Sequence, residues 1–130
     1  MTDGIDVGRF VRLVGAIRAA IDSADPGLAA VAGNALAQTY SRLRAEARNL
    51  VPDDRRDELD RVCPETLQAT GGSRMLLQAA RFNAARSALS ILAGWLQGFV
   101  DEARMAMEAR AYAEARVKEE RGVGFKPPSS

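Results

Sequence analysis

From Ser73 to Arg121 the chain contains no proline, and alanine dominates the run. A proline inside a helix costs about 3 kcal/mol, whereas alanine is the residue a helix tolerates best. The segment therefore predicts a single helix, about 70 Å long at 1.5 Å per residue. One apolar stripe on it reads Phe82, Ala85, Leu89, Leu92, Leu96, Phe99, Ala103 and Ala106. A second reads Ala84, Ala88, Ile91, Trp95 and Gly98, continued by Met105, Ala109 and Tyr112. Both follow heptad-like spacing. Two apolar stripes on one helix require burial on two sides. A chain of 130 residues has too little mass to cover both along that length, so self-association is the expectation.

The centre of this run is Gly94-Trp95-Leu96-Gln97-Gly98, with the only tryptophan between two glycines four residues apart. Each glycine costs a helix interior about 0.8–1.0 kcal/mol relative to alanine. Two on one face suggest that another backbone approaches closely there. Trp95 adds a large apolar surface with a polar handle. The expected oligomer or bundle interface is therefore Leu89, Leu92, Gly94, Trp95, Leu96, Gly98, Phe99, Met105 and Tyr112.

Upstream, Val7, Phe10, Val14, Ile17 and Ile21 step by threes and fours, predicting a helix over Asp6–Asp22 with Arg9, Arg12 and Arg18 off its apolar stripe. Asp25 suits an N-cap and Pro26 the first helical position. The second helix runs from Pro26 to Leu50, with a seam of Leu36, Tyr40, Leu43, Ala47 and Leu50, and stops before Pro52. A short third helix fits Asp53–Val62, whose Asp53 and Asp54 favour the positive end of the helix dipole. A loop through Gly71-Gly72 leads to an N-cap at Ser73, and Gly122 and Gly124 supply a C-terminal cap. The fold expected is all-α, a four-helix bundle of two moderate helices, one short and one long. Residues 1–121 would form the bundle and 122–130 a flexible tail.

Composition narrows the chemistry. Histidine is absent, which removes His-based triads, haem ligation by His and His-containing metal sites. Cys63 is the only cysteine, so no intrachain disulfide forms and a cytoplasmic setting is expected. Before a proline and without a histidine to activate it, Cys63 reads as a small buried hydrophobe. Charged residues interrupt every apolar run near the N-terminus, unlike a signal peptide, and no run reaches the roughly 20 apolar residues of a membrane span. A net charge of +1 gives no support to a nucleic-acid partner, and Arg104, Arg110, Arg116 and Arg121 alternate with glutamates as on a solvated face.

The remaining candidate sites are weak. Asp53–Arg61 reads as a solvated, salt-bridged helix, and Gly71-Gly72-Ser73 lacks the lysine and strand of a phosphate loop. Met75, Met105 and Met107 fit gap-filling in a seam or an adaptable binding surface. No catalytic residue, cofactor or metal is expected, and the chain is not expected to be an enzyme.

Two segments together resemble a known family. Leu50-Val51-Pro52-Asp53-Asp54-Arg55-Arg56-Asp57-Glu58-Leu59-Asp60-Arg61-Val62, followed by Pro64, resembles the short third helix of the bacterial proteasome activators of actinobacteria. Leu92-Ala93-Gly94-Trp95-Leu96-Gln97-Gly98-Phe99 is similar to the Gly-Trp-Leu-x-Gly segment of their long last helix. The resemblance covers Val7 to Val117. It implies a four-helix bundle assembled into a dodecameric homo-oligomeric ring that stacks on the proteasome core particle. Such a ring admits unfolded or loosely folded proteins without ATP or cofactor. In the family a terminal Gly-Gln-Tyr-Leu motif docks on the core particle, whereas this chain reads Pro127-Pro128-Ser129-Ser130 there, and the family's long acidic N-terminal extension is missing. The expectation is thus a truncated form or a paralogue, the alternative being an adaptor or regulatory bundle that has lost core-particle docking.

Overall fold

A computed structural model describes residues 6–125, with side chains described through Glu119. Among the described residues the fold is all-α, with four α-helices and no strand. α1 spans Val7–Ser23, α2 Ala29–Leu50, α3 Arg56–Val62 and α4 Arg74–Phe125. Residues through Val100 form one compact unit and those from Asp101 onward a second, so the chain divides within the sequence of α4.

The helix starts follow from local chemistry. Asp6 caps α1 by accepting from the Arg9 backbone N–H at 3.2 Å. Asp25 accepts from the Gly27 N–H at 2.9 Å, but Pro26–Leu28 forms a 3-10 turn, and α2 begins only at Ala29. Asp53–Arg55 is likewise a 3-10 turn ahead of α3. Such turns are common at helix N-termini, and they shorten the two helices relative to the spans expected from sequence. Ser73 caps α4 through its Oγ, which accepts from the Leu76 N–H at 3.2 Å. α4 continues to Phe125, past the cap expected at Gly122 and Gly124. Glycine raises the cost of a helix by about 1 kcal/mol without forbidding helical backbone. Of the tail expected over 122–130, residues 126–130 lie outside the described residues.

The first unit has one hydrophobic core. Phe10, Val14 and Ile17 from α1 meet Tyr40, Leu43 and Ala47 from α2, and Leu59 from α3. Phe82, Leu89, Leu92, Leu96 and Phe99 complete it from α4. Fully burying an aliphatic or phenyl side chain contributes about 1.5–3 kcal/mol, which is what offsets the ordering cost of these helices. Phe10 and Phe99 meet with ring centroids 5.5 Å apart, joining α1 to α4. Where α2 crosses α4, Gly33 lies against the backbone of Gln78, and the Gln78 side chain accepts from the Asn34 N–H at 2.9 Å. Arg81 donates to the Asn34 side-chain oxygen at the same crossing.

Candidate functional site

Two arrangements stand out: a polar clamp that seats α3, and apolar faces of α4 that the described chain leaves open. The clamp begins with Tyr40 and Arg44, one turn apart on α2 and both buried. Tyr40 Oη donates to the Pro64 carbonyl at 2.6 Å. Arg44 Nε donates to the Cys63 carbonyl, and its Nη2 to Asp60 Oδ1, both at 2.6 Å. Arg48 adds two further bonds to the same carboxylate, at 3.1 and 3.2 Å. Hydrogen bonds from Arg48 and then Arg44 hold the Asp60 carboxyl below the usual carboxylate range, against partial burial.

The other side of α3 meets α4. Arg55 lies over the Phe99 ring, 4.6 Å from its centroid, and donates to Glu58 at 2.8 and 2.9 Å. Glu58 is held below its ordinary pKa mainly by that bond, and Trp95 contributes a smaller hydrogen bond to the same carboxylate. The Trp95 ring meets Phe99 edge-on at 4.7 Å. The tryptophan's polar handle is therefore spent within the chain.

Burial pushes the Cys63 thiol up to about 11 and the Tyr40 hydroxyl up to about 12, with Arg44 opposing both. The thiolate population at neutral pH is negligible, so Cys63 is poorly suited to nucleophilic chemistry. A stability consequence follows with a definite sign. The folded chain keeps both protons above pH 9–10, where the unfolded chain releases them. The stabilisation is therefore complete below about pH 9 and is lost as pH rises through 11–12. The unfolding free energy from urea titration is expected to stay level from neutral pH to about 8.5 and then fall steeply, by a total on the order of a few kcal/mol. Tyr40→Phe should flatten part of that fall.

The interface residues expected from sequence separate into three groups. Leu89, Leu92, Leu96 and Phe99 are buried in the core of the first unit, and Trp95 packs against it half-buried. Gly94 is exposed and Gly98 partly so, and a Cβ added at either would meet nothing within 4 Å. An added Cβ would instead meet backbone at Gly33, against Gln78, and at Gly71, against Leu76 and Leu77. Ile91, one turn from both Trp95 and Ser87, is half exposed.

Met105 and Tyr112 belong to the second unit, at 69% and 67% exposure. In that unit Met107 and Val117 are also exposed, and Ala103 alone among residues 101–119 is partly covered. These apolar groups stand open on an otherwise charged helix.

No family model matches this chain, and no curated protein or solved structure matches it either. The chemistry of the site therefore rests on its own residues. Among those described, no three His, Cys, Asp or Glu side chains are grouped as a metal would need. No described helix is long and apolar enough to cross a membrane.

Sequence reasoning missed the clamp. Asp60 falls in the run that reads as a solvated helix, and Arg44 is not singled out by the sequence. The available signal was position: Arg44 lies one turn beyond Tyr40 and beside Leu43 and Ala47, on the face that the apolar seam defines. The salt bridges of this segment are partly tertiary, Arg44–Asp60 and Arg48–Asp60, and partly local, Arg55–Glu58 and Arg56–Asp53.

Proposed function

We propose that this chain is a non-enzymatic, ring-forming protein of the proteasome-activator type. Its helices would form a four-helix bundle, several copies would close into a ring, and the ring would pass unfolded polypeptide to the proteasome core particle without ATP. The observation that carries this reading is the resemblance of Leu92–Phe99 and Leu50–Val62 to two segments of that family, which together hold α3 against α4. Open apolar groups support assembly: Ile91 with Gly94 and Gly98 in the first unit, and Met105 and Tyr112 in the second. Exposed apolar surface of this kind, rimmed by charge, is what a subunit seam requires.

Light scattering on the purified chain tests the assembly. A closed ring gives a multiple of the 14.0 kDa subunit, near about 170 kDa if twelve copies close. Gly94→Glu meets open space within one chain, so it should keep the helical circular dichroism while lowering the assembled mass. A monomeric wild-type chain overturns the proposal. Core-particle docking is tested by grafting Gly-Gln-Tyr-Leu onto the C-terminus and measuring peptide hydrolysis. A ring whose grafted form fails to stimulate hydrolysis points instead to an adaptor.

A further inference from the structure

The N-terminal half of α1 and the C-terminal half of α2 leave a groove between them, a cavity of about 450 Å³ open to solvent. Its floor is mainly apolar, the buried Leu13 and Leu43, the half-buried Leu50 and the exposed Ala16, with Asn49 the one uncharged polar residue in the lining. Its rim is cationic, with Arg9 and Arg12 on the α1 side and Arg42 on the α2 side, all exposed. The only carboxylate in the lining is Glu46, whose nearest approach to Arg42 is 4.0 Å with both side chains more than half exposed. Such a pair contributes little and leaves the Arg42 guanidinium free to find a better partner. Arg12 Nε makes one long bond, 3.4 Å, to the Gly8 carbonyl. Three guanidinium groups against one carboxylate is a local excess of two positive charges, in a chain whose net charge is only +1.

Each element of this groove restricts what fits it. Guanidinium forks match carboxylates bidentately, so the rim selects acidic side chains. A leucine floor along the seam of two helices accepts apolar side chains repeating at helical spacing, as in other helix-in-groove complexes. A nucleic acid would need an extended basic track with aromatic stacking platforms, and the lining contains neither an aromatic ring nor a fourth base. We propose that the α1/α2 groove is a docking site for an acidic amphipathic helix of a partner protein. Leucine-type anchors of that helix sit over Leu13, Leu43 and Leu50, and its flanking Asp or Glu side chains pair with Arg9, Arg12 and Arg42. The groove lies within the first unit, and its lining includes none of the open groups of α4.

The test is fluorescence anisotropy of the full chain with a labelled synthetic helix of about 15 residues, long enough to hold helical structure. It carries leucines at i, i+3, i+4 and i+7 flanked by glutamates. Saturable binding is expected with Kd on the order of tens of micromolar, weakening as salt is raised. Arg9→Glu combined with Arg42→Glu should weaken it by about tenfold or more, equivalent to about 1.4 kcal/mol or more. Both positions are exposed, so helicity and the light-scattering mass should not change, which separates this outcome from failure of the assembly reading. A peptide with its leucines changed to serine should bind at least about tenfold more weakly. The proposal is overturned by absence of saturable binding, by an unchanged affinity in the arginine variant, by equal binding of a peptide with lysine in place of glutamate, or by tighter binding of single-stranded DNA.

Discussion

Gly33→Ala is expected to destabilise the chain by about 2–4 kcal/mol, although glycine-to-alanine changes within helices ordinarily stabilise by up to about 1 kcal/mol. The reversal comes from the helix crossing. A Cβ on Gly33 would lie 2.8 Å from the carbonyl carbon of Gln78, and closer still to its oxygen. Real Cβ atoms do not approach so near, and the obstacle is backbone, which cannot swing aside as a side chain would. α2 and α4 must therefore separate. Separation also weakens the bond from the Asn34 N–H to the Gln78 side chain, worth about 0.5–1.5 kcal/mol. Urea unfolding followed by circular dichroism measures the effect, and Gly94→Ala is the matched comparison. With nothing within 4 Å of its added methyl, Gly94→Ala should leave the single chain equal or more stable, by up to about 1 kcal/mol. Equal effects at the two positions would contradict the crossing geometry.

That contrast also marks how far the fold was legible. The paired glycines around Trp95 share a helix face and so suggest a close backbone approach, yet in the described chain they face open space. Gly33 stands alone near the weak start of α2, and nothing in its neighbours announces a crossing with a residue 45 positions away. Helical periodicity depends on residues a few positions apart, so it is readable: the stripe from Phe82 to Phe99 is the buried one, and Asp25 and Ser73 cap as their chemistry dictates. Close approach depends on which helices cross and where, which is a property of the packed whole. The same distinction governs the candidate surfaces. Arg9 and Arg12 could be placed off the apolar stripe of α1, but the groove they edge exists only once α2 brings Arg42 and Leu43 beside them.

Arg44→Met should cost about 3 kcal/mol, far more than a surface arginine is worth, and Arg44→Lys should recover only a part of that. Breaking a buried ion pair by removing one partner costs about 3–5 kcal/mol when the other is left without solvent. Asp60 is 40% exposed and keeps Arg48, which moves the expectation to the lower end of that range. The Cys63 carbonyl has no such recourse: Arg44 Nε is its partner at 2.6 Å, and Cys63 itself is buried. Methionine fills most of the volume but satisfies neither acceptor. Lysine carries the charge, but a single ammonium lacks the planar fork that serves Asp60 and Cys63 together. Arg48→Ala is the control, removing an exposed member of the same carboxylate cluster; its effect on the urea midpoint should be small beside that of Arg44→Met. Because Arg44 holds the carbonyl at the end of α3, its loss should also loosen α3 from α4, releasing Arg55 from the Phe99 ring and Glu58 from Trp95. Tryptophan fluorescence should then shift at lower urea than the helical signal does. A single coincident transition, displaced as a whole, would mean that α3 unfolds together with the rest of the first unit.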